Sequence, residues 1–586
     1  MKDFFKFTFA SMLGVVLASI VFTILGIVSM VGMVASSDTE TTINENSIFV
    51  LDLDGVLSER VKENPFQSLL GDDYQALGLD DILTSIQKAK ENENIKGIYL
   101  QTGLLEASFA SLEEIRQALK DFKESGKFII AYADQYEQGM YYLASIADKV
   151  IVNPQGSIAW HGLASQPIFY KDLLAKIGID MQIFKVGTYK SAVEPFIATE
   201  MSEANREQVT VFLNSIWKRL LEDISASRNI PIETLSQYAD EPMDFKQAEA
   251  YITCGLADTL LYKDGVLDYL KEMSGREKDE SLRTLSLADM KNVKRNVPLD
   301  KSGNIIAVYY AFGGIDDSTS PEEGIYSEKV CKDLRKLRED ETIKAVVLRV
   351  NSPGGSAYGS EQIWREVVLL KEQKPVIVSM GDYAASGGYY ISCAADCIVA
   401  DPTTLTGSIG IFGMFPNLEG LLTNKLGLHF DMVKTNKFAD MGDMTRAFNA
   451  DEKAAMQNYI NNGYKLFVKR CADGRGMSVE AIEKIAEGRV WTGATAKELG
   501  LVDELGGLDK AIEIAAQKAE VEAYSLLTYP SKESFFSSLM NEGKNNYIEG
   551  QLMETLGESY SSLKFIQNVK DMDRIQARMP FDLRIQ

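Results

Sequence analysis

The chain contains one unit written twice, and no other feature limits its fold as strongly. The run IKGIYL at residues 95–100 returns as IKAVVL at 343–348, and GKFIIAYADQYEQGMYYLASIADKVIVNP at 126–154 lines up with QKPVIVSMGDYAASGGYYISCAADCIVADP at 373–402. At that offset of 248, Asp134 matches Asp382, Gly139 matches Gly387, Tyr141 and Tyr142 match Tyr389 and Tyr390, and Asp148 matches Asp396. Gly255-Leu256-Ala257-Asp258 is echoed by Gly500-Leu501-Val502-Asp503. Two related domains in tandem follow, spanning 46–270 and 302–529. The charged stretch 271–301 reads as a linker, and the tail 530–586 has no partner in the first unit.

Within each unit, short β-branched runs such as 343–350 and 375–380 alternate with helical segments such as 360–373. Continuous apolar strands alternating with helices predict an α/β fold around a buried, largely parallel sheet. Lys plus Arg total 61 against 84 Asp plus Glu, a net charge of −23, which opposes binding to nucleic acid or anionic lipid surfaces. The five cysteines, Cys254, Cys331, Cys393, Cys397 and Cys471, are too few and scattered for a disulfide framework and read as small core residues. Cys393 and Cys397 lack the two further ligands a zinc site needs, so no metal is assigned.

No charged residue occurs between Phe7 and Ser37, and residues 12–34 are almost wholly apolar or glycine. That run is long enough to span a bilayer, whereas the apolar core of a cleaved signal peptide is about 7–15 residues. Residues 1–37 are therefore expected to form a cytoplasmic N-terminus and one transmembrane helix. Lys2 and Lys6 precede the run and Asp38 and Glu40 follow it, which places the remainder of the chain outside the cell membrane, on its periplasmic or exterior side.

Positions shared by both copies are explained by the common fold; the differences point to chemistry. Ser386, in Ala384-Ala385-Ser386-Gly387-Gly388, stands where the first copy has Gln138. A lone serine there reads as a helix N-cap. The second copy also carries Asn351-Ser352-Pro353-Gly354-Gly355-Ser356 after a strand, where the first has Thr102-Gly103-Leu104-Leu105. Glycines at a strand end leave N–H groups free to face a pocket, as an oxyanion hole requires. A serine nucleophile needs a base. His161 and His429, the two histidines of the chain, sit in apolar runs that suit structural residues. Lys190 is the better candidate: the first copy reads Lys185 to Ala192 where the second, at an offset of 249, reads Lys434 to Asp440 and puts Ala439 opposite Lys190. One copy holds the serine without the lysine and the other the lysine without the serine, as a site shared at their interface requires. Roughly four lysines in ten thousand are neutral at pH 7, so such a base must be desolvated. Ser408, in Thr406-Gly407-Ser408-Ile409-Gly410, is placed to hold the amine, although a Gly-Ser turn is equally a structural element.

At these residues the sequence resembles the long, two-repeat form of the signal peptide peptidase A family, peptidase family S49. The resemblance runs from about residue 46 to 529 and rests on Gly187 to Phe196, Asn351 to Gly355, Ala384 to Gly388 and Thr406 to Gly413. It implies a ClpP/crotonase-like fold for both units, Ser386 as nucleophile, Lys190 as general base, Ser408 as its helper, and an oxyanion hole around Gly354, Gly355 and Gly387. It further implies no cofactor, a membrane-anchored homotetramer, and remnant signal peptides as substrates. A crotonase-type acyl-CoA enzyme would leave Ser386 and Lys190 unexplained. A non-catalytic membrane scaffold would not need both.

Overall fold

In the computed structural model, residues 6–7, 12–14, 17–19, 21–22, 40–61, 76–295, 300, 302–317, 324–531 and 575–579 are described. Most of the apolar run 12–34 therefore lies outside the described residues, among which no helix is long and apolar enough to cross a membrane.

The first unit is built from β1 (Ser47–Ser58), β2 (Ala76–Gly78), α1 (Leu79–Glu91), β3 (Ile95–Glu106), α2 (Phe109–Lys123), β4 (Phe128–Tyr136), α3 (Gln138–Ala144) and β5 (Lys149–Ile158). It continues through β6 (Asp180–Lys185), α4 (Glu203–Arg228), β7 (Thr259–Leu260) and β8 (Thr284–Leu285). The strands form a parallel sheet in the order β2-β1-β3-β4-β5-β7, with β8 on β1. Residues 271–301, read above as a linker, thus contribute a strand to this sheet.

The second unit repeats the plan with β9 (Ile305–Phe312), β10 (Ile315–Asp316), β11 (Ile325–Tyr326), β12 (Ile343–Ser352), β13 (Gly354–Ser356), α5 (Ala357–Lys371), β14 (Val376–Ala385), α6 (Gly387–Ser392) and β15 (Cys397–Ala400). Then come β16 (Leu405–Gly407), β17 (Phe412–Asn417), α7 (Ala450–Arg475), β18 (Val490–Thr492), β19 (Glu504–Leu505), α8 (Leu508–Lys518), β20 (Ser525–Tyr529) and, from the tail, β21 (Ile575–Arg578). Its sheet runs β18-β16-β14-β12-β9-β20, with β15 and β19 continuing from β14. The path β9-β12-β14-β15-β19 mirrors β1-β3-β4-β5-β7.

Side-chain alternation explains why these strands are apolar throughout. Ile306, Val308 and Tyr310 of β9 pack with Val347, Ile377 and the α8 residues Ala511 and Ala515 on one face, while Ala307, Tyr309 and Ala311 join Val346, Leu348 and Val378 on the other. The positions shared by the copies serve this frame. Asp148 accepts from Ile129 N at 2.8 Å and Asp396 from Val376 N at 2.9 Å; the Tyr141 hydroxyl donates to Leu256 O and the Tyr389 hydroxyl to Leu501 O, both at 2.9 Å.

A third sheet, β11-β10-β13-β21-β17-β6, joins the units: β6 of the first runs antiparallel to β17 of the second, from Lys185 opposite Phe412 to Asp180 opposite Asn417. A buried polar cluster also spans the boundary. Arg349 of β12, 1% exposed, donates to Glu59 at 2.9 Å and to Glu114 of α2 at 2.5 Å, and the Thr403 hydroxyl donates to Glu113 at 2.9 Å.

Candidate active site

Ser386 closes β14 and precedes α6 with φ 56° and ψ −112°, a conformation a non-glycine residue adopts at a cost of about 1–3 kcal/mol unless its surroundings enforce it. Its N–H donates to Gly407 O at 2.8 Å. Although Ser386 stands at the N-cap position, its hydroxyl caps nothing. It meets Lys190 Nζ at 2.7 Å.

Lys190 arrives from the first unit. β6 pairs with β17 and delivers residues 186–193 against the second unit, where Tyr189 N donates to Glu487 O at 3.0 Å. Gly187 has φ +103°, and a Cβ on it would lie 2.3 Å from that same Glu487 oxygen, so only glycine fits this approach. From the other side, Gln208 of α4 donates to Tyr189 O at 3.1 Å and to Ser191 Oγ at 2.8 Å, and the Ser191 hydroxyl donates to Asn205 at 2.9 Å. Gly410 and Gly488 provide bare backbone beneath the lysine stem: a Cβ on Gly410 would sit 3.2 Å from Lys190 Cδ, and one on Gly488 2.7 Å from Lys190 Cα.

Lys190, Ser386 and Ser408 are all fully buried. Nζ lies 2.7 Å from Ser386 Oγ, 3.0 Å from Ser408 Oγ and 3.2 Å from Ser408 O. Burial pushes the lysine well below its ordinary value, with no carboxylate contributing to offset it. A neutral amine has two N–H donors and one lone pair. Lys190 Nζ donates to Ser386 Oγ, Ser408 Oγ and Ser408 O, and the Ser386 hydroxyl is 3.4 Å from Gly410 O; once the amine is neutral its lone pair is free to take the Ser386 proton across the 2.7 Å contact.

The glycines expected to form an anion-binding loop differ in detail. Gly354, φ +101°, spends its own N–H on Ser352 Oγ at 3.1 Å. Gly355 and Gly387 come together, since a Cβ on Gly387 would lie 3.1 Å from Gly355 N. Gly387 follows Ser386 directly and Gly355 N lies beside Gly387, so an oxyanion formed at a carbonyl attacked by Oγ would meet backbone amide there.

In the first unit the corresponding place is plugged. Gln138 Oε1 accepts from His161 N at 3.1 Å and Gly162 N at 3.0 Å, and Trp160, where the second unit has Ser408, is fully buried with its indole donating to Leu235 O at 2.8 Å. Ala439, opposite Lys190 in the repeat register, is exposed. Two readings need correction. His161 and His429 are exposed rather than packed in apolar surroundings, because their neighbours lie on loops. Of the cysteines, Cys393, Cys397 and Cys471 are buried but Cys254 and Cys331 only partly so. Sequence reasoning missed Ser352, Gly410, Gly488 and the plugging role of Gln138; matching Gly410 with Gly162 in the repeat register was the available signal for one of them.

Two domains of repeated α/β plan thus bring a buried serine of one against a buried lysine of the other. The family model of peptidase family S49 matches residues 121–276 and 368–522, one segment in each repeat, and the chain belongs to that family. It is 39% identical over 509 residues to "Protease 4" of Salmonella typhi, covering 84% of this chain and 81% of that one. It is also 36% identical over 564 residues to "Protease 4" of Haemophilus influenzae, covering 91% and 90%. "Serine protease SPPA, chloroplastic" of Arabidopsis thaliana is 34% identical over 485 residues, covering 82% and 70%. Among solved structures, a ClpP1 mutant from Listeria monocytogenes aligns with 35% of this chain and 94% of its own at 17% identity and a TM-score of 0.25.

Proposed function

We propose that the chain is a membrane-anchored serine endopeptidase that hydrolyses apolar peptides, remnant signal peptides among them, through an acyl-enzyme on Ser386 with Lys190 as its base. The 2.7 Å contact between Lys190 Nζ and Ser386 Oγ, in buried surroundings that push the amine well below its ordinary value, carries this reading. Ser386 Oγ attacks the peptide carbonyl as its proton passes to Lys190, and the Gly355 and Gly387 amides face the developing oxyanion. Lys190 then protonates the leaving amine, and water deprotonated by the same lysine releases the acyl group. Ser408 holds the amine in place throughout. No step calls for a metal or cofactor. The apolar run 12–34 supports an anchor with the catalytic body on the periplasmic or exterior side, and the family resemblance supports a homotetramer.

The test is hydrolysis of an apolar, signal-peptide-like substrate by wild type, Ser386→Ala and Lys190→Ala of matched folding. Both variants are expected to lose at least ~10³-fold in kcat. Retention of full activity by either would remove the dyad.

A further inference from the structure

The five cysteines are scattered along the chain, but two of them meet in the fold. Cys393 directly follows α6 and Cys471 lies near the end of α7; both are fully buried and belong to the same core cluster. Neighbouring residues fix how the two helices lie together. One turn before Cys393, the Tyr390 ring stacks on that of Phe467, one turn before Cys471, with ring centroids 4.4 Å apart. One turn after Cys471, a Cβ on Gly474 would lie 2.3 Å from Cys393 O and 3.1 Å from Ala394 Cα. Cys393 is thus set against the stretch of α7 from Phe467 to Gly474, and Cys471 stands on the same helix face between those two residues. Gly474, bare of a side chain, lets the backbones approach, and a disulfide needs its two Cα atoms within about 7 Å. Burial, then the neighbouring Cys393 thiol, push Cys471 well above the ordinary thiol range.

The first repeat shows what the position requires without sulfur. Arg475 and Arg228 hold matching places, their Nε atoms donating to Gly500 O at 3.1 Å and to Gly255 O at 3.2 Å. That register sets Ile224 opposite Cys471, and the offset of 248 sets Ser145 opposite Cys393. The second unit has both cysteines and the first has neither. The Ser145 hydroxyl donates to Tyr142 O at 2.9 Å just as the Cys393 thiol donates to Tyr390 O at 3.2 Å, so the fold alone does not call for a thiol there.

We propose that Cys393 and Cys471 are a disulfide site that ties α6 to α7 in the exported chain. The oxidant is itself a disulfide. One cysteine thiolate attacks its S–S bond and expels a first thiol; the second cysteine thiolate attacks the chain sulfur of the mixed disulfide and expels the other. The new Sγ–Sγ bond thus accounts for two protons and two electrons, and the oxidant is reduced to two thiols. Both sulfurs are buried in the folded protein, so the exchange belongs to folding. α6 begins at the residue after Ser386, and Tyr390 of α6 lines a cavity of about 800 Å³ with Tyr459, Ile460, Gly463 and Leu466 of α7. The bond would therefore fix two walls of that cavity relative to each other. The inference rests on the proposed exterior location for its oxidant and on nothing in the catalytic reading.

Counting thiols tests it. The full chain is produced for export in a bacterium, extracted in detergent without reductant, unfolded in excess maleimide and weighed. Wild type should carry three labels, rising to five when it is reduced first. Cys393→Ser and Cys471→Ser should each carry four with or without reduction, whereas Cys397→Ser should carry two, rising to four. Digestion of the unreduced wild type should yield the peptides of Cys393 and Cys471 joined, a readout that needs no variant to fold. Five labels on unreduced wild type overturn the proposal, as does a bridge that survives Cys393→Ser or Cys471→Ser. Hydrolysis of an apolar peptide is measured on the same preparations. Three labels with no hydrolysis would sink the peptidase reading and leave the disulfide; hydrolysis with five labels would do the reverse.

Discussion

At the residue scale, the proposed chemistry depends on keeping a lysine uncharged. Because burial lowers its value in the folded protein, the fraction of Lys190 able to accept a proton rises with pH through a value below 10.5. We expect kcat/KM to climb with pH through that lowered value, and a profile with no basic limb would count against the lysine. The same shift bears on stability. Below pH 10.5 the unfolded chain binds a proton that the folded chain resists, so the lysine becomes increasingly unfavourable as pH falls towards its folded value. Lys190→Met should therefore be inactive yet melt higher at neutral pH, with its advantage growing as the pH is lowered. Ser408→Ala leaves the 2.7 Å contact between Lys190 Nζ and Ser386 Oγ in place but loses the 3.0 Å hydroxyl contact to the amine. About a ten-fold drop in kcat with little change in KM is expected, one hydrogen bond's worth of positioning. This pair was legible in the sequence because duplication left a record: a serine facing Gln138 and a lysine facing Ala439. The glycine amides were legible only as a loop, since nothing in Asn351 to Gly355 says that Gly354 gives its N–H to Ser352.

At the element scale, the site is held by strands that change partners. β6 belongs to the first repeat by sequence and to the joining sheet by hydrogen bonding, and its exit carries Lys190 across the boundary. Gly187→Ala would push the 186–193 segment off Glu487, and a displacement near 1 Å at a reacting group costs up to ~10²-fold in rate. A fall in kcat much larger than the change in melting temperature is the outcome to look for. The main sheets could be read from apolar runs of the right length. β21 could not: Ile575-Gln576-Ala577-Arg578 alternates apolar and polar residues but is too short to stand out, and it is a strand because it pairs with β13 and β17.

At the scale of the whole molecule, the two repeats are joined through buried charge. Glu59, Glu113 and Glu114 from one unit meet Arg349 and Asp401 from the other, and all five are nearly inaccessible. Burial, then the neighbouring Glu114 and Glu113, pushes Asp401 well above the ordinary carboxylate range, and burial raises Glu113 despite Arg219. A raised carboxyl contributes stability that is complete below about pH 3.8 and is lost as pH rises through its folded value. Asp401→Asn should accordingly melt higher than wild type at pH 7 to 8, with the difference closing towards pH 4. Arg349→Met strands two buried carboxylates and should cost about 3–5 kcal/mol in a denaturant titration. No sequence pattern announces this cluster, because Glu59, the Glu113-Glu114 pair, Arg349 and Asp401 lie far apart along the chain and each reads as a surface charge.

Dividing the proposed reacting pair between the repeats also sets a schedule. Lys190 and Ser386 are 196 residues apart, so a ribosome adding about 5–20 residues per second makes the serine ~10–40 s after the lysine. Until the later repeat has emerged and docked, the nascent chain holds a base with no nucleophile. A protein whose proposed targets are apolar segments would thus be harmless to its own unfinished chain.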